Sequence, residues 1–248
     1  MRPQRYSAMR PPRYSIVRPQ RYDDLAHRVL AAPARLGDVR LAVVDGPAGS
    51  GKTTFAGRLA AALHAAGATV AEVHTDDLLD GWTDTVTFWP RLEEWVLAPL
   101  RRGEPGAYRR YDWHAASFGD EWVTVRVPDV LVLDGVTSAR TVTRAERTLA
   151  VWVTADPEVR LARGLARDGA ALRSQWLRWM ADERAHFAAD RTEAAADLRV
   201  NGAPGVAHDA QTEYVPLDDG GWTPAAGSGT IAQGAGTHGR AGNGEEHR

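Results

Sequence analysis

Gly46-Pro47-Ala48-Gly49-Ser50-Gly51-Lys52-Thr53 is the stretch that decides the fold of this chain. The octet fits GxxxxGK[ST], a pattern that carries a mechanism. Its glycines let backbone N–H groups turn inward around the phosphates of a nucleotide. Lys52 offers a compact ammonium to the β- and γ-phosphates, and the Thr53 hydroxyl faces a Mg²⁺ ion. Of the 30 basic residues, Lys52 alone is lysine and the rest are arginine. A point charge on a thin stem suits this position where a planar guanidinium does not. The nucleotide-binding set is Gly46, Ala48, Gly49, Ser50, Gly51, Lys52, Thr53 and Thr54, with ATP as the expected donor.

The flanks supply the context the motif requires. Val39 to Asp45 is short, apolar and β-branched, as in a buried parallel strand. After the octet, Phe55, Leu59, Ala62 and Leu63 recur at helical spacing. The loop therefore sits at a helix N-terminus, where free N–H groups and the macrodipole favour an anion. Further along, Ala68–His74, Val130–Asp134, Leu149–Thr154 and Leu198–Val200 read as strands. Helical patterns cover roughly 90–102 and 174–190, and Asp156-Pro157-Glu158 opens another helix with a cap and a proline at its first position. Strands alternating with helices predict an α/β, three-layer architecture: a mostly parallel sheet covered on both faces.

Both ends read as separate from that domain. Arg2-Pro3-Gln4-Arg5-Tyr6-Ser7 returns with a period of eight at Arg10 and again at Arg18. Poor in aliphatics, residues 1–28 are expected to form a disordered or extended basic arm. Two origins fit it: an arm that binds RNA, anionic lipid or an acidic partner, or a duplicated or misassigned start with Met9 as an alternative initiator. The Gly- and Ala-rich acidic stretch 206–248 is expected to be a disordered tail, which leaves 29–205 as the domain. The absence of cysteine excludes disulfides, thiolate metal sites and a cysteine nucleophile. A net charge of −2 gives no global attraction for nucleic acid. With no membrane-length apolar run and no signal-type segment, the expected location is the cytoplasm, and a small molecule and ATP are the expected partners.

Carboxylates fall where a parallel sheet binds its ligands, at the carboxyl ends of strands. Asp134 closes an apolar strand in the manner of a Walker B aspartate, so Thr53 and Asp134, with or without Asp76, form the expected Mg²⁺ set. Asp76 is positioned to take a proton from an attacking hydroxyl. A cap on the following turn is the competing role for Asp76 or Asp77. Arg160, Arg163 and Arg167 share one helical face, with Val159, Ala162 and Leu165 expected toward the core. Tyr111 and Trp113 flank an aspartate and could stack on a base, or simply clamp a loop.

Taken with the loop, Thr75-Asp76-Asp77, Tyr111-Asp112-Trp113, Leu133-Asp134-Gly135, Arg160 to Asp168 and Ala196-Asp197-Leu198 resemble the uridine kinase family of P-loop nucleoside kinases, over about 39–202. The resemblance implies a P-loop NTPase fold with a small helical lid. It implies Asp76 as the general base for a nucleoside hydroxyl, and a base pocket lined by Tyr111 and Trp113. It also implies that Lys52, Arg163, Arg167 and Arg173 act on the transferring phosphoryl group. The chain departs from the pattern at Asp134, where the family has glutamate, at Gly164, and in a lid stretch whose one arginine is Arg173. The octet with Asp45 is also similar to cytidylate kinases. Two functional expectations follow: an ATP-dependent kinase for a hydroxylated small molecule, or a nucleotide-binding regulatory module with little transfer activity.

Overall fold

The computed structural model describes residues 18–218 and Trp222. Five parallel strands form the central sheet: β2 (Arg40–Asp45), β3 (Val70–His74), β6 (Val130–Asp134), β7 (Arg147–Thr154) and β8 (Leu198–Asn201), in the order β3-β6-β2-β7-β8. The apolar runs of β2, β6 and β7 are buried on both faces, successive residues pointing to opposite sides. Ala42, Val44, Val132 and Val151 face a core built with α1 (Tyr22–Ala31) and α2 (Lys52–Ala65). Leu41, Val43, Leu131 and Leu133 face a second core with Phe88, Leu92, Leu97 and Tyr108. The expected α/β P-loop fold with helices on both faces is what the chain adopts.

Register carries the loop and two strand ends to one level. His74 pairs with Asp134, and Asp134 with Val44, so β3, β6 and β2 all finish beside the glycine-rich turn. On the second face, α3 (Trp89–Leu92), a π-helical turn (Glu93–Leu97) and α4 (Ala98–Arg101) run as one rod. An antiparallel hairpin, β4 (Gly106–Asp112) with β5 (Ser117–Val125), leans on it. Nothing in the sequence pattern predicts this hairpin. Most of β5 is exposed, so it lacks the alternation that marks a half-buried strand. Its turn is held by Asp112 Oδ1, which accepts from the amides of His114 (2.8 Å) and Ala115 (3.0 Å). α5 (Pro157–Asp168) starts on the expected cap, Asp156 accepting from the Glu158 amide at 2.9 Å. After a short turn comes α6 (Arg173–Asp190).

The domain boundaries expected at 28 and 206 are corrected. Gln20 and Arg21 form β1, which pairs antiparallel with β9 (Glu213–Tyr214). Tyr22 and Tyr214 are buried and pack edge-on against Phe55 of α2, with centroids 5.2 and 5.4 Å away. Val215 and Trp222 are also buried, and Arg28 donates to the Trp222 carbonyl at 2.8 Å. The last of the three N-terminal repeats and the start of the acidic stretch are thus part of the domain. A few aromatic rings in polar surroundings cover an apolar face of α2, which average composition does not register. The first two repeats and residues 223–248 lie outside the described residues. Among the described residues no helix is long and apolar enough to cross a membrane.

Candidate active site

The site begins at the carboxyl end of β2. Asp45 is fully buried, and its Oδ1 accepts from the amides of Gly46 (2.6 Å) and Thr137 (2.9 Å), its Oδ2 from that of Ala139 (2.8 Å). Burial pushes its pKa up to about 6, against the pull of those three amides and of Lys52. Gly46 has φ +139°, and a Cβ there would collide with the Val153 carbonyl, so only glycine lets the chain leave the sheet this way. Lys52 opens α2 and donates to the Pro47 carbonyl at 3.2 Å. Thr53 Oγ1 donates to Asp134 Oδ2 at 2.7 Å. On the other side of Asp134, Nδ1 of His74 bonds Oδ1. That bond raises the His74 pKa to about 9. No local pattern singles out His74, because its partner is set by strand register.

Asp76 and Asp77 separate cleanly. Asp77 accepts from the Tyr108 hydroxyl at 3.1 Å and pairs with Arg110 at 3.2 Å, anchoring the hairpin. The Asp76 carboxylate has no hydrogen-bond partner among the described residues and faces the cleft beside Lys52 and Asp134. It caps nothing. Its pKa is raised, first by desolvation within the cleft and then by the neighbouring Asp134 charge, while Lys52 and Arg167 pull it down.

The cleft holds 1150 Å³. One end is lined by Lys52, Thr53, Asp76 and Asp134 and walled by four tryptophans, Trp82, Trp113, Trp176 and Trp179. Trp82 is the hub, with T-shaped contacts to Trp113 (5.6 Å), Trp179 (5.7 Å) and Trp176 (6.2 Å). Elsewhere the cleft is lined by Thr54, Arg58, Arg163, Asn201, Pro204 and His208. Trp113 lines the cleft and donates to the Asp76 carbonyl at 3.2 Å. Tyr111 sits behind it, centroids 5.2 Å apart, and is buried away from the cavity. From sequence, the helical i, i+3 spacing of Trp176 and Trp179 reads as helix core or helix-to-lid packing; in the fold both rings also line the cleft.

The arginines of α5 are not equivalent, and the apolar face expected toward the core is not the face that is buried. Val159 is exposed, while Arg160 and Gly164 are its buried residues. Arg160 is compensated by the Ala155 and Ala48 carbonyls and by Glu183 at 2.9 Å, which is why this one guanidinium can turn inward. Arg163 donates to the carbonyls of Gly49 (3.2 Å) and Gly202 (3.1 Å). Arg167 lines the cleft, pairs with Asp168 at 2.7 Å and lies over the Trp176 ring. Arg173 is exposed at the start of α6 and does not line the cavity. Gly164 has no side chain because the Trp176 indole occupies that space.

A glycine-rich loop between a strand and a helix, with an aspartate at the end of the adjacent parallel strand, defines a P-loop NTPase. Residues 43–184 match the AAA domain family, and the chain belongs to that family. No curated protein matches the chain by sequence. Among solved structures it is similar to a possible uridine kinase from Bacillus stearothermophilus, 20% identical with a TM-score of 0.53, over 72% of this chain and 96% of that one. It is also similar to D-glycerate 3-kinase from Cryptococcus neoformans, 15% identical with a TM-score of 0.50, over 72% and 94%. These likenesses are of fold: the chain has the architecture that such P-loop kinases share.

Proposed function

We propose that this protein is an ATP-dependent kinase that phosphorylates a hydroxyl of a small molecule, with a pyrimidine nucleoside as the acceptor. The observation that carries the reading is the unpartnered Asp76 carboxylate, held in a cleft beside Lys52, Thr53 and Asp134. Lys52 and the loop amides hold the donor phosphates, and Asp76 orients and deprotonates the acceptor hydroxyl. Thr53 and Asp134 present hard oxygen donors close together, a set that suits Mg²⁺, which keeps most of its ligands as water and phosphate. Mg²⁺ bound there would neutralise charge on the β- and γ-phosphates. The tryptophan wall excludes water from the transfer.

The acceptor end favours an uncharged molecule over a mononucleotide or a glycerate. Arg167 is already paired with Asp168, Arg110 with Asp77, and the Asp76 carboxylate stands open to the acceptor. An anionic acceptor would meet repulsion, whereas a planar base finds indole faces. The test is ADP release from ATP·Mg²⁺ with a panel of nucleosides, mononucleotides and sugars, with products read by mass spectrometry. We expect a nucleoside to raise turnover, Lys52→Ala to abolish it, and Asp76→Asn to remove transfer while sparing ATP binding. Full activity in Asp76→Asn refutes the base assignment.

One observation favours a second reading, a nucleotide-binding regulatory module. Arg167 is engaged by Asp168 and Arg173 lies outside the cleft, so of the arginines on α5 and α6 Arg163 is the one lining it without a carboxylate partner among the described residues. Tight ATP binding with no acceptor-stimulated turnover across the panel would select that reading.

A further inference from the structure

A buried carboxylate outside the expected site touches the phosphate loop directly. Glu183, on α6, is 1% exposed. Its Oε2 accepts from the backbone amide of Ala48 at 2.8 Å and from Trp179 Nε1 at 3.2 Å, and its Oε1 accepts from Arg160 Nη1 at 2.9 Å. Arg160 in turn donates to the Ala48 carbonyl at 3.3 Å. Both polar groups of residue 48 are therefore gripped by side chains from two helices remote in sequence. The neighbouring Gly49 carbonyl is taken by Arg163. A Cβ on Gly49 would stand 2.6 Å from the Arg160 carbonyl, so α5 packs directly on the loop.

The arrangement is hard to explain as stabilisation alone. Desolvating a buried ion pair costs about as much as its attraction returns, and well-packed apolar side chains of similar volume often do as well. An apolar pair, however, cannot hold an amide. Three N–H donors converge on one carboxylate, so the group must be acceptor-only. Glutamine has the same size but places an NH₂ against at least one of those donors.

We propose that Glu183 is a positioning residue that fixes the Ala48 peptide, and through it the turn of the phosphate loop, before a nucleotide binds. It touches neither substrate. Its effect is to pre-organise the loop, so that binding energy is not spent on ordering it. The inference rests on the reading of Gly46–Thr53 as the donor site.

The test is calorimetric titration of the full-length protein with ATP·Mg²⁺ in the absence of acceptor, at a temperature well below the melting point of each variant. Wild type and Lys52→Ala are run beside Glu183→Gln. We expect Glu183→Gln to bind at least tenfold more weakly while fully folded. A purely structural role would lower the melting temperature of Glu183→Gln and leave its nucleotide affinity unchanged, which overturns the proposal. If Glu183→Gln does not fold, amide exchange in nucleotide-free wild type decides. Slower exchange at Ala48 than at Gly49 supports the proposal, and equal exchange overturns it. Wild type binding no better than Lys52→Ala would overturn the donor-site reading and this inference together. Wild-type binding matched by Glu183→Gln overturns this inference alone.

Discussion

Replacing Gly135 by alanine should cripple the site without touching any group that meets a ligand. Gly135 follows Asp134 with φ +139°. A Cβ there would fall 2.8 Å from Thr75 Cβ and 3.2 Å from its Cγ2, and would overlap Oγ1 outright. Thr75 is fully buried and directly precedes Asp76, so it has little room to yield. Placing a side chain in this glycine-only backbone region costs about 1–3 kcal/mol. Overpacking against Thr75 adds about 1–3 kcal/mol. Taking a combined loss of about 4 kcal/mol, the melting temperature should fall by about 8–16 °C for a domain of this size. Denaturant unfolding followed by tryptophan fluorescence measures the loss. Acceptor-dependent ADP release from the folded protein reports whether Asp76 has moved. Adding Thr75→Ala removes Oγ1 and Cγ2, the hydroxyl having no hydrogen-bond partner among the described residues. The double variant should therefore recover some of the overpacking part, since the residue 75 Cβ remains 2.8 Å away, and none of the backbone part. A Gly135→Ala protein within about 0.5 kcal/mol of wild type, the range of an inconsequential substitution, refutes this reasoning.

Three further outcomes follow from the same geometry. Asp45→Asn should cost about 1–3 kcal/mol in denaturant unfolding, because the amide NH₂ would replace the oxygen that accepts from Ala139; an unchanged midpoint would show that bond to be dispensable. The Asp76 pKa is raised, so the ionised base is present above that value and lost as pH falls through it. The acid limb of kcat/KM should thus sit above the ordinary aspartate range, and a profile flat down to about pH 4 would contradict it. Tyr22→Ala should lose about 3–5 kcal/mol of stability, as for other large buried aromatics. For that reason a deletion through residue 22 would damage the fold instead of testing the arm, and a wild-type melting curve for such a deletion would refute the packing described.

The loop, the strand before it and the helix after it were legible because each depends on local chemistry. Glycines that need unusual φ, one lysine and an apolar β-branched run are short-range signals. Asp134 was legible for the same reason, as an aspartate closing an apolar strand. The hairpin was not, because β5 is exposed along most of its length and leaves no periodicity to read. The ends were misjudged because composition averages over a stretch, while burial of Tyr22, Tyr214 and Trp222 is decided ring by ring against Phe55 and α2.

By itself the sequence determined that a phosphate loop follows the first strand of a parallel α/β sheet, and that carboxylates stand at the ends of neighbouring strands. Only the tertiary structure decided which carboxylate is free. Asp77 is consumed by Tyr108 and Arg110 from a hairpin more than thirty residues away, leaving Asp76 open to the cleft. It also decided that Arg160 faces inward, because its partner Glu183 comes from another helix. Four tryptophans from three separate segments form one wall for a similar reason. Such roles depend on which distant groups compete for the same hydrogen bonds and the same space, and local pattern does not encode that competition.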